Sequence, residues 1–515
     1  MKKRLEQLET IDPGDGQAPA PGRRLACLTI AFHPDTSRIG DRLPLGEALP
    51  IALSRTGPSF RDWRGETTGP LACLNLSRRP LKLASANAGG ISIATTAGGS
   101  RVELDGQSAD GCRVISEDEL EAGVVLCLAQ RVVLLLHLAD DVEPCPDELG
   151  MIGRSDEMER LRRLLLQASA HSAPVLLLGE SGTGKELAAR AIHDAGPRRE
   201  RPFVCVNLAA VPSSMAASEL FGHTSGAFTG ADRDQRGYFE QADGGSLFLD
   251  EVGSAEPQLQ SILLRVLETG EIQRLGSRES RRVDVRVIAA TDADLEKAVA
   301  EGAFRAPLFH RLAGFVVRVP ALRERREDIG RLLTHFLCAE LEALGAEHRM
   351  REPERGRSPW LPAGLVAALL RRPWPGNVRE LRNLARRMAA GFHQLEAIDP
   401  EEILGRQQPP AARTDAGGRV RPASISDDEL AEAMQAHGWR IGATAAWLGI
   451  SRNTLYSLIR QGARVRLAND IPADEIRRCL EACAGDLPSA AQSLQVSLRA
   501  LKLRVQKLGI RGDPE

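Results

Sequence analysis

The chain has 515 residues, too many for one hydrophobic core, and its length suggests roughly three or four domains. Its 67 Lys+Arg nearly cancel its 69 Asp+Glu, so bulk charge excludes a uniformly basic nucleic-acid binder and any basic surface must be local. Nine scattered cysteines without a CxxC pair read as reduced thiols, and the apolar runs are too short to span a bilayer. The N-terminus, MKKRLEQLET, has no apolar segment behind its charges, so the expected location is the cytoplasm. Residues 1–23 are polar and Pro/Gly-rich, the composition of a flexible tail. From Arg24 the texture changes to short apolar runs separated by turn residues. Leu25–Phe32, Pro50–Leu53, Leu71–Leu76, Leu81–Ala84, Ile91–Thr95, Arg101–Leu104, Gly123–Cys127 and Val132–Leu138 each read as a strand. That spacing, with no long helical pattern, predicts a β-sandwich over residues 24–142.

Leu53-Ser54-Arg55, Leu76-Ser77-Arg78 and Val102-Glu103-Leu104-Asp105-Gly106 give this segment a resemblance to forkhead-associated (FHA) domains, which read phosphothreonine peptides. The resemblance implies that Arg55 and Ser77, with Arg78 close by, hold a phosphate through charge-assisted bonds. Pro80 and Asp105 depart from the family, which usually has His and Asn there, so a sandwich that binds protein without phosphate stays open.

Residues 148–320 read as an α/β nucleotide-binding domain opening at Ile152-Gly153. The buried-strand pattern Val175–Leu178 feeds Gly179-Glu180-Ser181-Gly182-Thr183-Gly184-Lys185-Glu186, and a helix follows. Glycines at these positions let backbone N–H groups curl around phosphates at a helix N-terminus, and Lys185 adds a point charge. A second apolar strand, Ser246–Leu249, ends in Asp250-Glu251. Asp250 is placed to hold Mg²⁺ through water, and Glu251 to act as general base on the attacking water. ATP and Mg²⁺ are the expected cofactors.

Between these halves lies Gly226-Ala227-Phe228-Thr229-Gly230-Ala231, a Gly-flanked tip with no period that would bury Phe228. The hexapeptide, in this setting, resembles the GAFTGA loop of the AAA+ activators of sigma-54 RNA polymerase, whose phosphate loop commonly reads GESGTGKE. The resemblance implies that Asn207 switches Glu251, that Thr291 and Asp292 form sensor 1, and that Arg379, in Trp374-Pro375-Gly376-Asn377-Val378-Arg379, senses the γ-phosphate. Arg305 and Arg311 are the candidate arginine fingers, acting across a ring that is hexameric by resemblance. Asp292 stands where the family has Asn, and Pro307 is expected to break the local helix.

Residues 321–403 carry the pattern of a helical lid, and 404–424 of a linker. Residues 425–466 and 470–511 read as two helix-turn-helix units. A 46-residue shift pairs Glu429 with Glu475, Met434 with Leu480, Ala445 with Ala491, Leu448 with Leu494, and Leu455 with Leu501. Both copies resemble the Fis-type unit that ends these activators. Candidate DNA contacts are Ser451, Arg452, Asn453, Thr454, Tyr456 and Arg460 in the first copy, and Ser497, Arg499, Lys502 and Arg504 in the second. The architecture expected is thus multidomain: a β-sandwich, an α/β P-loop ATPase with a helical lid, and an all-α helix-turn-helix tail. The implied partners are sigma-54 RNA polymerase, double-stranded DNA and a phosphothreonine protein. The rival readings are an AAA+ remodeller unrelated to sigma-54 and a DNA-binding scaffold or repressor with an inactive ATPase.

Overall fold

A computed structural model describes residues 24–404, apart from 141–144, 229–230, 352–358 and 396, together with separate stretches of 427–505. Residues up to Gln407 belong to one compact unit and those from Gln408 to a second. The front of the first unit is a two-sheet antiparallel sandwich. Its strands are β1 (Leu25–Phe32), β2 (Arg42–Pro44), β3 (Ile51–Leu53), β4 (Phe60–Arg61), β5 (Thr67–Gly69), β6 (Leu81–Ser85), β7 (Ile91–Ala94), β8 (Val102–Leu104), β9 (Gln107–Ser108), β10 (Cys112–Ile115), β11 (Val124–Leu128) and β12 (Val132–Ala139). One sheet runs β5-β4-β2-β1-β12-β11-β8-β9 and the other β10-β7-β6-β3.

The sandwich agrees with the spacing of apolar runs, with one correction among the expected strands. Leu71–Leu76 is a loop: Ala72 has φ +53° and the Leu76 N–H closes a turn on Cys73, yet Leu71, Cys73 and Leu76 still plug the core. The short strands β2, β4, β5, β9 and β10 lacked an apolar signal strong enough to be read. So did the helix Glu117–Ala122, which Ser116 and Glu119 start with a reciprocal capping box.

Period-two alternation sends the side chains of one strand to two different cores. Val132, Leu134 and Leu136 of β12 face the sandwich interior with Leu28 and Ile30 of β1. Val133 and Leu135, with Val125 and Cys127 of β11, face the other way and share a core with Leu332, Leu333, Leu365 and Leu369 of the helical lid. The sheet is therefore buried on both faces. Gly330 fits against this joint because a Cβ there would lie 1.7 Å from the Ala31 carbonyl oxygen.

The sheet of the α/β domain comprises β13 (Val175–Leu178), β14 (Phe203–Asn207), β15 (Ser246–Asp250), β18 (Arg286–Thr291) and β19 (Phe315–Arg318), with β16 (Glu271–Gln273) and β17 (Ser280–Arg282) forming a separate hairpin. The order β14-β15-β18-β13-β19 is parallel throughout. Its register sets Leu178 beside Thr291 and Asn207 beside Asp250, so the candidate residues converge at the carboxyl edge. Pro307 does not break the helix Ala306–Leu312: it occupies the first turn, where its missing N–H would have no intrahelical acceptor. The lid consists chiefly of the helices Ile329–Ala343, Ala363–Leu370 and Asn377–Phe392. Among the described residues no helix is long and apolar enough to cross a membrane.

In the second unit the helices Asp427–Ala436, Ala473–Ala482 and Leu487–Ser493 are described. Ile476, Leu480, Ala491, Leu494, Val496 and Leu501 belong to one small core, and Leu480, Ala491, Leu494 and Leu501 among them are positions that the 46-residue repeat pairs with the first copy. Their counterparts Met434 and Leu455 are buried too.

Candidate ATPase centre and its working loop

The phosphate-binding loop leaves β13 at Gly179 and enters the helix Lys185–Asp194. Gly182 and Gly184 have φ of +81° and +109°, and a Cβ on Gly182 would lie 2.5 Å from the Gly376 carbonyl oxygen. The buried Lys185 ammonium donates to the carbonyl oxygens of Gly179 at 2.7 Å and Glu180 at 3.3 Å. Thr183 caps the loop internally through Glu180 O, and Glu186 sits in the first turn of the helix. Beside the loop opens a cleft of about 320 Å³ between the α/β domain and the lid, lined by Ile152, Gly184, Leu187, Leu332, Phe336 and Val378 among others. Apolar walls next to a backbone-amide cradle fit a flat heterocycle joined to a phosphate chain. Gly153 is needed at the cleft's edge: it has φ +127°, and a Cβ would approach the Asp328 carboxylate to 2.7 Å.

At the sheet edge Asn207 Nδ2 donates to Asp250 Oδ2 at 3.3 Å, while Asn207 Oδ1 accepts from the backbone of Ala209 and Ala210. Asn207 thus holds the expected metal-side carboxylate here, rather than Glu251. Glu251 has left-handed φ of +56°, which turns it out of the strand line. Burial raises its pKa, the neighbouring Asp292 charge raises it further, and Lys185 opposes both. Thr291 is buried and its hydroxyl accepts from the Ala293 N–H.

The lid grips the phosphate loop directly. Arg379 Nη1 donates to Ser181 Oγ at 2.8 Å, and Arg323 makes a two-pronged contact with Glu180 at 2.5 and 2.8 Å. Asn377, fully buried, donates to Glu180 and to Ser181 O while accepting from the Leu322 N–H. The Arg323 and Asn377 contacts hold the Glu180 carboxyl down at about 2. Sequence reasoning missed Arg323 and Asn377 as loop partners, because nothing local marks contacts that span 143 and 197 residues. Arg305 and Arg311 lie on the exposed side of the helix Ala306–Leu312 and its cap; the Arg311 guanidinium donates twice to Leu267 O, and the Arg305 N–H to Gln260.

The tip hexapeptide begins as a closed turn: Gly226 N–H bonds Ala231 O at 2.8 Å, and Ala231 N–H bonds Phe228 O at 3.0 Å. Gly226 has φ +81°, Ala227 bonds back to Thr224, and Phe228 is 41% exposed with its ring edge on His223. Thr229 and Gly230 lie outside the described residues. The base of the loop carries a feature with no local signal in the sequence. Glu240, its side chain 1% exposed, takes Arg274 through two bonds of 2.6 and 2.7 Å and Arg281 through one of 3.2 Å. Those bonds tie the β16–β17 hairpin to the short helix Tyr238–Gln241 beneath the tip.

On the sandwich, Ser77 N–H is held by Ser100 Oγ, Ser77 Oγ accepts from the Arg79 N–H, and Arg55 spans to Leu74 O. A shallow pocket runs across Ser54, Ser77, Arg79, Thr95 and Ser100; Arg78 is exposed beside it. Arg79 and Ser100 were not foreseen. Of the candidate DNA contacts only Arg504, half-buried, is described; Ser451, Arg452, Asn453, Thr454, Tyr456, Arg460, Ser497, Arg499 and Lys502 lie outside the described residues.

Residues 151–318 match the sigma-54 interaction domain family, 323–416 the AAA+ ATPase lid domain, and 423–461 the Fis family of bacterial regulatory proteins. The DNA-binding transcriptional regulator NtrC of Azospirillum brasilense is 38% identical over 376 residues, 73% of this chain and 72% of that protein. The chain belongs to the sigma-54-dependent transcriptional activators. Within this activator, NtrC of Escherichia coli K12 matches at 49% identity over 257 residues, 49% of this chain and 53% of that one. The crystal structure of NtrX from Brucella abortus in complex with ADP shares 33% identity, with a TM-score of 0.43, over 61% of this chain and 69% of that chain. The activator is accordingly an ATP-binding ATPase and a DNA-binding transcription regulator with a β-rich front domain.

Proposed function

We propose that the activator hydrolyses ATP as a ring of copies and spends each cycle moving Phe228 and Thr229 against sigma-54, so that a closed promoter complex is remodelled. The observation that carries this reading is the arrangement around one sheet edge. The phosphate loop, Asp250 and Glu251 lie there, while the tip turn stands on an ion-paired base within the same α/β domain. Lys185 and the loop amides bind the phosphates, and Asp250 would hold a Mg²⁺ ion that would supply positive charge to offset that of the phosphates. Glu251 takes the proton of the attacking water once it is ionised, and Arg379 reports the γ-phosphate to the lid. Arg305 and Arg311, facing solvent, are available to a neighbouring copy's site.

For the front sandwich the reading is an FHA-like input that takes a phosphothreonine peptide at Ser77, Arg55 and Arg78, with Arg79 of the pocket as a further cation. The support is chemical: the Arg79 fork and the Ser54, Ser77 and Ser100 hydroxyls line one pocket, with Arg55 and Arg78 next to lining residues in the chain, a set that suits a dianion. Two assays test the whole. Protein trapped with ADP and a metal fluoride should retain sigma-54, and Thr229→Ala should lose it while still hydrolysing ATP. Robust hydrolysis with no sigma-54 complex would instead indicate a remodeller of another target. A phosphothreonine peptide library should be retained by the native chain and released by Arg55→Ala; retention of unphosphorylated peptide would make the input a plain protein-binding one.

A further inference from the structure

The seven residues Leu322–Asp328 leave β19 for the first lid helix, and their side chains do not serve one domain. Arg323 holds the phosphate loop at Glu180, and Arg325, buried, donates to Thr183 O of the same loop at 3.0 Å. The next two residues hold the sandwich. Arg326 donates to the carbonyl oxygens of Ala122 and Gly123, and to Leu370 of the lid at 3.0 Å. Glu327 receives Arg42 of β2 at 2.8 Å and lies 2.9 Å from Nε2 of His137 on β12. Arg42 also binds Asp156 at 2.8 Å and Arg154 O at 3.0 Å. Asp328 closes the segment by accepting from the N–H groups of Arg154 and Ser155, next to Gly153 at the cleft.

We propose that Leu322–Asp328 is a coupling strap through which the sandwich sets the grip on the phosphate loop, so that release of the sandwich weakens nucleotide binding. The strap is short, anchored at both ends and buried except at Arg323, Glu324 and in part Arg326, and it cannot slide under the sandwich without moving Arg323 and Arg325. Its sandwich side is an ion-paired cluster beside a shared apolar core, and packed cores shift between discrete arrangements rather than through a continuum. Linkage then requires the effect to run both ways: nucleotide in the cleft must change how firmly the sandwich is held. This coupling does not depend on what the sandwich binds, so it stands or falls apart from the phosphothreonine reading.

The test uses the full chain and ADP, with affinity read from a fluorescent ADP analogue. Arg42→Met and Arg326→Met should each weaken binding at least fivefold and lower kcat/KM for ATP in parallel. Leu83→Ala, which opens the sandwich interior from the opposite sheet, away from the strap, should lower Tm while leaving ADP affinity within twofold. In the native chain ADP should slow hydrogen exchange at Gly123–Val125, and Arg326→Met should abolish that response. Wild-type affinity in both arginine variants, while exchange at Gly123 rises, would overturn the proposal. So would an equal loss of affinity in Leu83→Ala, which would reduce the effect to general destabilisation.

Discussion

Replacing Glu240 by Gln removes the charge beneath the tip loop while keeping the shape. In the native chain this carboxylate takes three bonds from Arg274 and Arg281, at 2.6, 2.7 and 3.2 Å. The Arg274 bonds hold its pKa below the usual carboxylate range, which favours the charged form that both arginines bind. Bonds to a charged group contribute about 1.5–3 kcal/mol each where buried. Both arginines remain partly solvated, 25% and 54% exposed, and Gln keeps one good acceptor, so the net loss is set at about 2 kcal/mol. That is a roughly 30-fold fall in the ratio of anchored to released hairpin. Glu240 touches neither the phosphate loop nor Asp250 and Glu251, so basal ATP hydrolysis should stay within about twofold of native. Retention of sigma-54 in the ADP–metal fluoride trap should fall at least tenfold. Undiminished sigma-54 retention, with the hairpin shown loosened by hydrogen exchange, would refute the idea that the tip needs a rigid base.

Two further outcomes follow from the same geometry. Asp292→Asn removes a like charge beside Glu251, whose pKa is raised by burial and then by Asp292. The base should ionise at lower pH, and the acid limb of the kcat profile should move downward; an unmoved limb would show that Asp292 does not face the base in the working enzyme. Leu501→Ala empties a fully buried site in the small core of the second helical copy, a loss of about 2–5 kcal/mol that so small a core cannot absorb. Thermal melts should lose that unit and gel shifts should show weaker DNA binding with ATP hydrolysis intact; unchanged DNA affinity would leave base reading to the first copy.

Chemistry that is local in the chain was legible without coordinates. The phosphate loop, the strand ending in Asp250-Glu251 and the glycine-flanked tip each place their groups through a few consecutive torsions, which the residue types themselves dictate. The 46-residue repeat likewise named the interior of the second helical copy, because its apolar periodicity is intrinsic to a helix. Tertiary structure decided what the sequence left neutral. Runs such as Val132–Leu138 report burial on both faces but not what covers the second face, and here it is the lid. Glu180, Arg323, Asn377 and the Glu240 cluster are ordinary charged or polar residues until distant strands bring them within 3 Å, and charge pairing carries no period that a chain could display. The strap Leu322–Asp328 shows the division most plainly: its sequence is a run of charges, and only packing assigns Arg323 and Arg325 to the phosphate loop, and Arg326 and Glu327 to the sandwich.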